Sequence, residues 1–225
     1  RTTRADDAGY SVPMCTLAVE FRPGSAHPLV VAANRDESKS RPASGPRCWP
    51  EIRCVAPRDE LEGGTWLGVN AHGLFVGITN RFMSAKHEGR RSRGHLVLDA
   101  LKATSAAALA ATMRALPAHT YNDFHLLYAD AREACVRWSA DDVLSHQFRH
   151  RGLHVVTERS LQRSTVAREA LVRSHWPADA AAHPEALMQL LAEKREPSFD
   201  GLTVNVPEFN YGTRSAFVFI AGPEL

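Results

Sequence analysis

Residues 15 to 37 leave the backbone little choice. Cys15 to Phe21 alternates side chains with the period of a half-buried strand, and a second apolar run, Leu29 to Ala33, stops in Asn34-Arg35-Asp36-Glu37. Between them Arg22-Pro23-Gly24-Ser25-Ala26-His27-Pro28 is a cluster of turn residues, so the two runs predict an antiparallel hairpin. With the turn centred near Ser25, residue 15 faces residue 35, because opposed positions in a hairpin share a constant sum. Opposed residues lie about 4.5–5.5 Å apart at Cβ, so this register sets a cysteine beside an arginine. A slip of one residue brings Asn34 or Asp36 there instead.

A guanidinium beside a thiol favours the thiolate over a free-cysteine pKa of about 8.5, which makes Cys15 a candidate nucleophile. Met14 precedes it. If the chain is cut there, Cys15 becomes the first residue and its α-amine, with a pKa of about 7.7–8.0, serves as general base. Residues 1–14 are therefore expected to be a leader, tag or propeptide, with 15–225 a single catalytic domain. Each of these residues also has a plainer reading. A cysteine in a half-buried strand serves as a small core hydrophobe, and Arg35 with Asp36 serves as a surface ion pair.

Further segments extend the pattern along the chain: Gly63-Gly-Thr-Trp-Leu-Gly-Val69, Thr79-Asn80, Ser92-Arg-Gly94, Tyr121-Asn122, Gly152-Leu-His154 and Tyr211-Gly-Thr-Arg-Ser215. With Asn34-Arg35-Asp36-Glu37, this ordered set resembles the NRDE family, also called the transport and Golgi organisation type 2 family. The resemblance implies an N-terminal nucleophile (Ntn) hydrolase fold: α+β, four-layer αββα, two mainly antiparallel sheets between helices. The stretch from Gly68 to Asn80 is similar, more distantly, to choloylglycine hydrolases and penicillin V acylases, with its second glycine shifted by one residue. That likeness gives Asn80 the role of oxyanion donor beside a backbone N–H. Independently, Asn70-Ala-His-Gly73 reads as a tight turn, so Asn80 falls at a strand end, where it either donates to an oxyanion or caps a turn.

The remaining site residues follow with less constraint. Asp36 and Glu37 are the carboxylates nearest Cys15, and one of them is expected to hold the α-ammonium or orient Arg35. Strand alternation keeps Arg35 and Asp36 from facing one site unless the chain bends. Asn34, Glu158 and Arg214 are the candidate substrate contacts; by resemblance Arg214 meets an acidic substrate or the thiolate region, and its alternative is a core-edge arginine stacked on Tyr211. The family commonly has Leu-Ser-Asn where this chain has Val156-Thr157-Glu158. A carboxylate donates to an oxyanion only when protonated, so Glu158 either stands outside the site or shifts the chemistry toward acid/base work such as aminolysis.

Composition bounds the partners. Formal charge is +2 with no basic block interleaved with aromatics, so no nucleic-acid footprint stands out. No apolar run approaches a membrane span and residues 1–14 lack the apolar core of a signal peptide, so a cytoplasmic protein is expected. Lysine occurs only at 39, 86, 102 and 194; the preference for arginine, with abundant alanine, suggests a GC-rich, bacterial genome. Cys48 and Cys54 are expected as free thiols. The histidines show no HExxH or other metal spacing, and there is no Gly-rich phosphate loop, so neither a metal nor a nucleotide cofactor is expected.

Helices are expected at 95–101 and 105–116, capped by Ser92 and Ser105, and at 164–175 and 184–195. Strands at 124–128, 134–138, 143–148 and 153–157 read as one antiparallel meander, and strands return at 202–206 and 215–221. The expected activity is an N-terminal-cysteine amidohydrolase acting on an amide or related acyl bond of a small molecule, through an acyl-cysteine. Two alternatives stand beside it: an acyltransferase or amide-forming cyclase on the same scaffold, and the non-catalytic haem or lipid binding to which the family has been linked. Homo-oligomerisation is left open.

Overall fold

The computed structural model describes residues 15–82, 87–141, 143–161 and 167–222. The N-terminal hairpin pairs β1 (Thr16–Phe21) with β2 (Leu29–Ser38). Thr16 lies opposite Asn34 and Phe21 opposite Leu29, the register expected of a turn centred on Ser25. Its two faces diverge in environment. Leu17, Val19, Phe21, Leu29, Val31 and Ala33 enter the core between two sheets. Ala18, Val30 and Ala32 meet helices on the other side.

The hairpin is the centre of a five-stranded sheet ordered β10 (Gly152–Thr157), β1, β2, β12 (Tyr211–Ile220), β11 (Asn205–Val206). The second sheet runs in chain order through β3 (Ala43–Trp49), β4 (Cys54–Asp59), β5 (Leu67–Asn70), β6 (Phe75–Asn80), β7 (Phe124–Ala129), β8 (Ala134–Ala140) and β9 (Val143–Arg149). Every adjacent pair is antiparallel. Helices α1 (Arg93–Ala100) and α2 (Ala106–Arg114) cover the outer face of the seven-stranded sheet through Leu96, Val97, Leu109 and Met113. Helices α3 (Ala167–His175) and α4 (Pro184–Leu191) cover the five-stranded sheet through Leu171, Val172, Leu187 and Leu191. The result is the α+β, four-layer αββα arrangement. Among the described residues no helix is long and apolar enough to cross a membrane.

Several expectations are corrected. The strand at 153–157 does not continue the meander: β10 leaves β9 and pairs with β1 in the other sheet, Thr157 opposite Thr16. Gly152, at φ +134°, supplies a backbone turn that L side chains rarely adopt, and the chain changes sheets there. The hairpin of β3 and β4 was not expected, and the strand at 202–206 shrinks to two residues. Ser105 caps α2 by accepting from the Ala108 N–H, whereas Ser92 stands at the α1 cap position with no such bond. Residues 1–14 and 164–166 lie outside the described residues.

Candidate active site

Cys15 stands one residue before β1, half-buried, with φ +50°. Around it are Arg35, Asp36 and Glu37 of β2. Burial, reinforced by the Asp36 carboxylate, pushes the thiol up to about 12. A hydrogen bond from the Asp36 backbone N–H and the charge of Arg35 act in the opposite direction and are outweighed. The arginine is therefore where the hairpin register puts it, but the expected lowering of the thiol pKa is reversed. Desolvation of a thiolate inside a strand end exceeds the help of one guanidinium that already shares Glu37.

Alternation along β2 divides the Asn34-Arg35-Asp36 string. Arg35 turns into the space between the sheets, its guanidinium 4.3 Å from the centroid of the Trp66 ring. Asp36 turns to the helix side, accepting from Thr213 at 2.5 Å and from Arg168 of α3 at 3.1 Å. Asn34 also faces the helices, and its amide donates to the Leu191 and Leu202 carbonyls at 2.8 Å each. Its expected role as a substrate contact is thus corrected: Asn34 ties β2 to the end of α4 and the loop that follows.

Glu158, one residue past β10, is 3% exposed and lies beside the Asp36–Arg168 pair. Burial raises both acids, against the pull of Arg168, and one Glu158 carboxylate oxygen has no hydrogen-bond partner among the described residues. Asn80 ends β6. Its neighbour Thr79 reaches the Thr157 carbonyl at 3.3 Å, and Thr157 faces Thr16, the residue after Cys15. Phe82 N–H donates to the Glu158 carbonyl at 2.9 Å. Cys15, Asn80 and Glu158 therefore converge on one end of the paired sheets. Asn70 has a different part: it accepts from the His72 and Leu74 N–H groups and donates to the Leu101 and Ala103 carbonyls, locking the turn before β6.

Two residues beyond the expected set join the site. Arg168 is one, 1% exposed on the buried face of α3. The other is Arg93, the first residue of α1, which donates to the Asp123 carbonyl at 2.8 Å. Burial brings Arg93 down to about 10, and the nearby Cys15 and Glu37 oppose that fall. Its placement depends on two glycines. A Cβ on Gly64 would lie 2.6 Å from the Gly94 carbonyl carbon, so only glycine lets the α1 terminus close onto the loop before Trp66.

Beside Arg35 a cleft of about 190 Å3 opens between the sheets, lined by Trp66, Leu67, Pro57, Arg214 and Phe217 among others. Pairing of β2 with β12 is interrupted between Thr213 and Ser215, and Arg214 is the residue left out of the ladder. Arg214 is exposed and lines the cleft rather than the core edge. A half-buried thiol, buried acids and a cationic, partly apolar cleft thus lie at one end of the paired sheets.

Residues 14–223 match the family model described as Transport and Golgi organisation 2. Curated relatives include the Transport and Golgi organization protein 2 homologs of Bos taurus, 32% identical over 125 residues (52% of this chain, 45% of that protein), and Homo sapiens, 33% identical over 129 residues (54% and 47%). The chain spans about half the length of the curated relatives it matches. These are animal proteins, which overturns the expected bacterial source; arginine bias reports base composition and does not distinguish kingdoms. Among solved structures, the Caenorhabditis elegans N-acylethanolamine-hydrolyzing acid amidase ortholog aligns with TM-score 0.61 and 15% identity over 94% of each chain. Penicillin V acylase from Agrobacterium tumefaciens aligns with TM-score 0.53 and 13% identity, covering 91% of this chain and 79% of its own. At such identities the likeness establishes the fold.

Proposed function

We propose that this chain, which belongs to the Transport and Golgi organisation 2 family and carries the fold of Ntn amidohydrolases, is a cysteine-nucleophile enzyme acting on an amide or related acyl bond of a small molecule. The observation that carries this reading is the position of Cys15. It stands at the head of a strand in the middle of its sheet, against Arg35 and Asp36. The names of the two structural neighbours, an amidase and an acylase, support acyl chemistry.

Cleavage of the Met14–Cys15 peptide bond frees the α-amine. That amine takes the Cys15 proton as sulfur attacks the substrate carbonyl, and Asn80 with a backbone N–H holds the oxyanion. The ammonium returns the proton to the leaving amine, and the acyl-cysteine remains. Attack by water then gives the acid and restores the thiol; attack by an amine gives a new amide. Arg35 and Asp36 keep the terminus in place. With residue 14 still attached there is no α-amine at Cys15 and the thiol stays protonated at neutral pH, so the uncut chain is latent.

Intact mass and N-terminal sequencing of the purified protein, followed by iodoacetamide labelling at about pH 6, test this reading. A chain that begins at Cys15, is alkylated there first, and turns over an amide or thioester panel that Cys15→Ala does not, supports it. A stable chain that keeps residue 14 and resists alkylation sinks it. The raised thiol pKa favours one second reading, ligand binding without turnover, for haem or a lipid. That reading requires stoichiometric binding, a Soret band in the case of haem, that survives Cys15→Ala.

A further inference from the structure

We propose that Arg93 is a further catalytic residue of the Cys15 reaction: its guanidinium joins Asn80 in holding the oxyanion that forms when sulfur adds to the substrate carbonyl. The assignment rests on the enzyme reading above and gives its charged step a cation.

Arg93 reaches the site from the far layer. Cys15 precedes a strand of the five-stranded sheet, whereas Arg93 opens the helix packed on the other sheet. Its Nη1 donates to the Asp123 carbonyl at 2.8 Å, and the same carbonyl accepts the Arg81 N–H at 3.3 Å. Asp123 precedes β7, whose first residue, Phe124, lies opposite Asn80. The guanidinium is thereby fixed to the backbone at the strand end that carries Asn80. That end is bonded in turn to the Cys15 end of the other sheet: Thr79 reaches the Thr157 carbonyl, the Phe82 N–H reaches the Glu158 carbonyl, and Thr157 lies opposite Thr16.

This cation lacks a counter-charge. Among the described residues Arg93 makes no ion pair, and the nearest acids are engaged elsewhere. Glu37 meets Arg35 at 3.5 Å, Arg41 at 3.8 Å and the Ser38 N–H at 2.9 Å. The Asp123 carboxylate accepts from Ser139 and from the Asp141 N–H. Arg93 is half-buried, so a substrate can reach it while water solvates it only in part. Burial brings it down to about 10, which leaves it charged at neutral pH. A fixed, poorly solvated cation is worth most where new negative charge appears.

That charge is transient here. The thiol sits at about 12, so at neutral pH the sulfur offers no standing anion. In the reaction the α-amine takes the thiol proton, the S–C bond forms, and the carbonyl π pair moves onto oxygen. On collapse the C–N bond breaks and the ammonium proton passes to the leaving amine. Arg35 is held against Trp66 and Glu37, which leaves Arg93 as the cation on the Asn80 side.

Two reagents that meet Cys15 by different routes test the assignment. p-Nitrophenyl acetate acylates a thiol through a tetrahedral oxyanion and releases p-nitrophenolate; iodoacetamide alkylates it by direct displacement of iodide, with no such oxyanion. Both rates are measured on the purified protein at one pH and corrected with Cys15→Ala. Arg93→Met should slow acylation at least about tenfold more than alkylation, and Arg93→Lys should recover part of that loss. Arg93→Gln replaces Arg93→Met if a melting curve shows that the latter does not fold. Equal slowing of both reactions, the result of a role in thiolate formation or in folding alone, overturns the proposal and leaves the enzyme reading standing, as does no change in either. Selective loss of acylation in a protein whose native form turns over no amide or thioester sinks the enzyme reading alone. A native Cys15 that is alkylated but never acylated overturns both.

Discussion

The Arg168 guanidinium meets the Asp36 carboxylate at 3.1 Å with side chains 1% and 0% exposed. Removing one partner of such a pair strands the other in a medium that solvates it poorly. Arg168→Met should therefore cost roughly 3–5 kcal/mol in urea unfolding. Asp36→Asn placed on top should recover part of the loss, since the stranded charge is then gone. Equal losses in the single and double variants would show that Arg168 acts by packing alone.

Glu158 beside this pair gives the fold a pH dependence of defined sign. Burial raises both Asp36 and Glu158 above their ordinary values of 3.8 and 4.5, so each holds its proton more tightly folded than unfolded. Their contribution is fully present below those ordinary values and is lost as pH rises through the raised folded ones. Stability of the native chain should fall across that range, and Glu158→Gln should flatten the slope and raise Tm on the high-pH side. Melting curves between about pH 4 and 8 decide it. An unchanged slope in the variant would assign the dependence elsewhere.

The Cys15 thiol of the uncut chain is held up partly by the Asp36 carboxylate, so neutralising that group should release it. Asp36→Asn keeps the backbone N–H that favours the thiolate and deletes the charge that opposes it. Alkylation of Cys15, followed by peptide mass spectrometry against pH, should show its midpoint shifted down from about 12. A midpoint that rises or stays fixed would mean that desolvation alone governs the sulfur.

Asn70 and Asn80 frame the same strand and should fail differently. Asn80→Ala removes the proposed oxyanion donor and should lower kcat about 10²–10³-fold with Tm nearly unchanged. Asn70→Ala deletes four hydrogen bonds to backbone and should cost about 3 kcal/mol of stability, with activity following the folded fraction. Chemical denaturation run beside initial rates separates the two patterns.

The first hairpin is legible in the sequence because a dense turn cluster and two apolar runs leave one register that buries both. Ala43–Trp49 carries no such signal: it is mostly exposed, contains Ser-Gly-Pro-Arg, and its pairing with β4 slips between Ser44 and Arg47. The sheet assignment of β10 is not encoded in spacing, since alternation reports a buried face but not which sheet buries it. Cys15 with Arg35 and Asp36 could be anticipated because the hairpin fixes their meeting. The protonated state of the thiol could not, because desolvation depends on the layers packed over the strand end. Arg168 did leave a trace, a charge at the first of three positions, with Leu171 and Val172, that form the buried stripe of α3.

Neither β1 nor β2 is an edge strand: β10 and β12 flank them, and their inner side chains are sealed beneath the second sheet. The strand that starts next to Cys15 cannot fray loose in a local fluctuation, because displacing it means breaking backbone ladders on both sides. Heating should thus leave the arrangement around Cys15 intact until the whole domain melts. Thermal inactivation and cooperative unfolding would then share one midpoint, and the protein would have no folded but catalytically disarmed form in between.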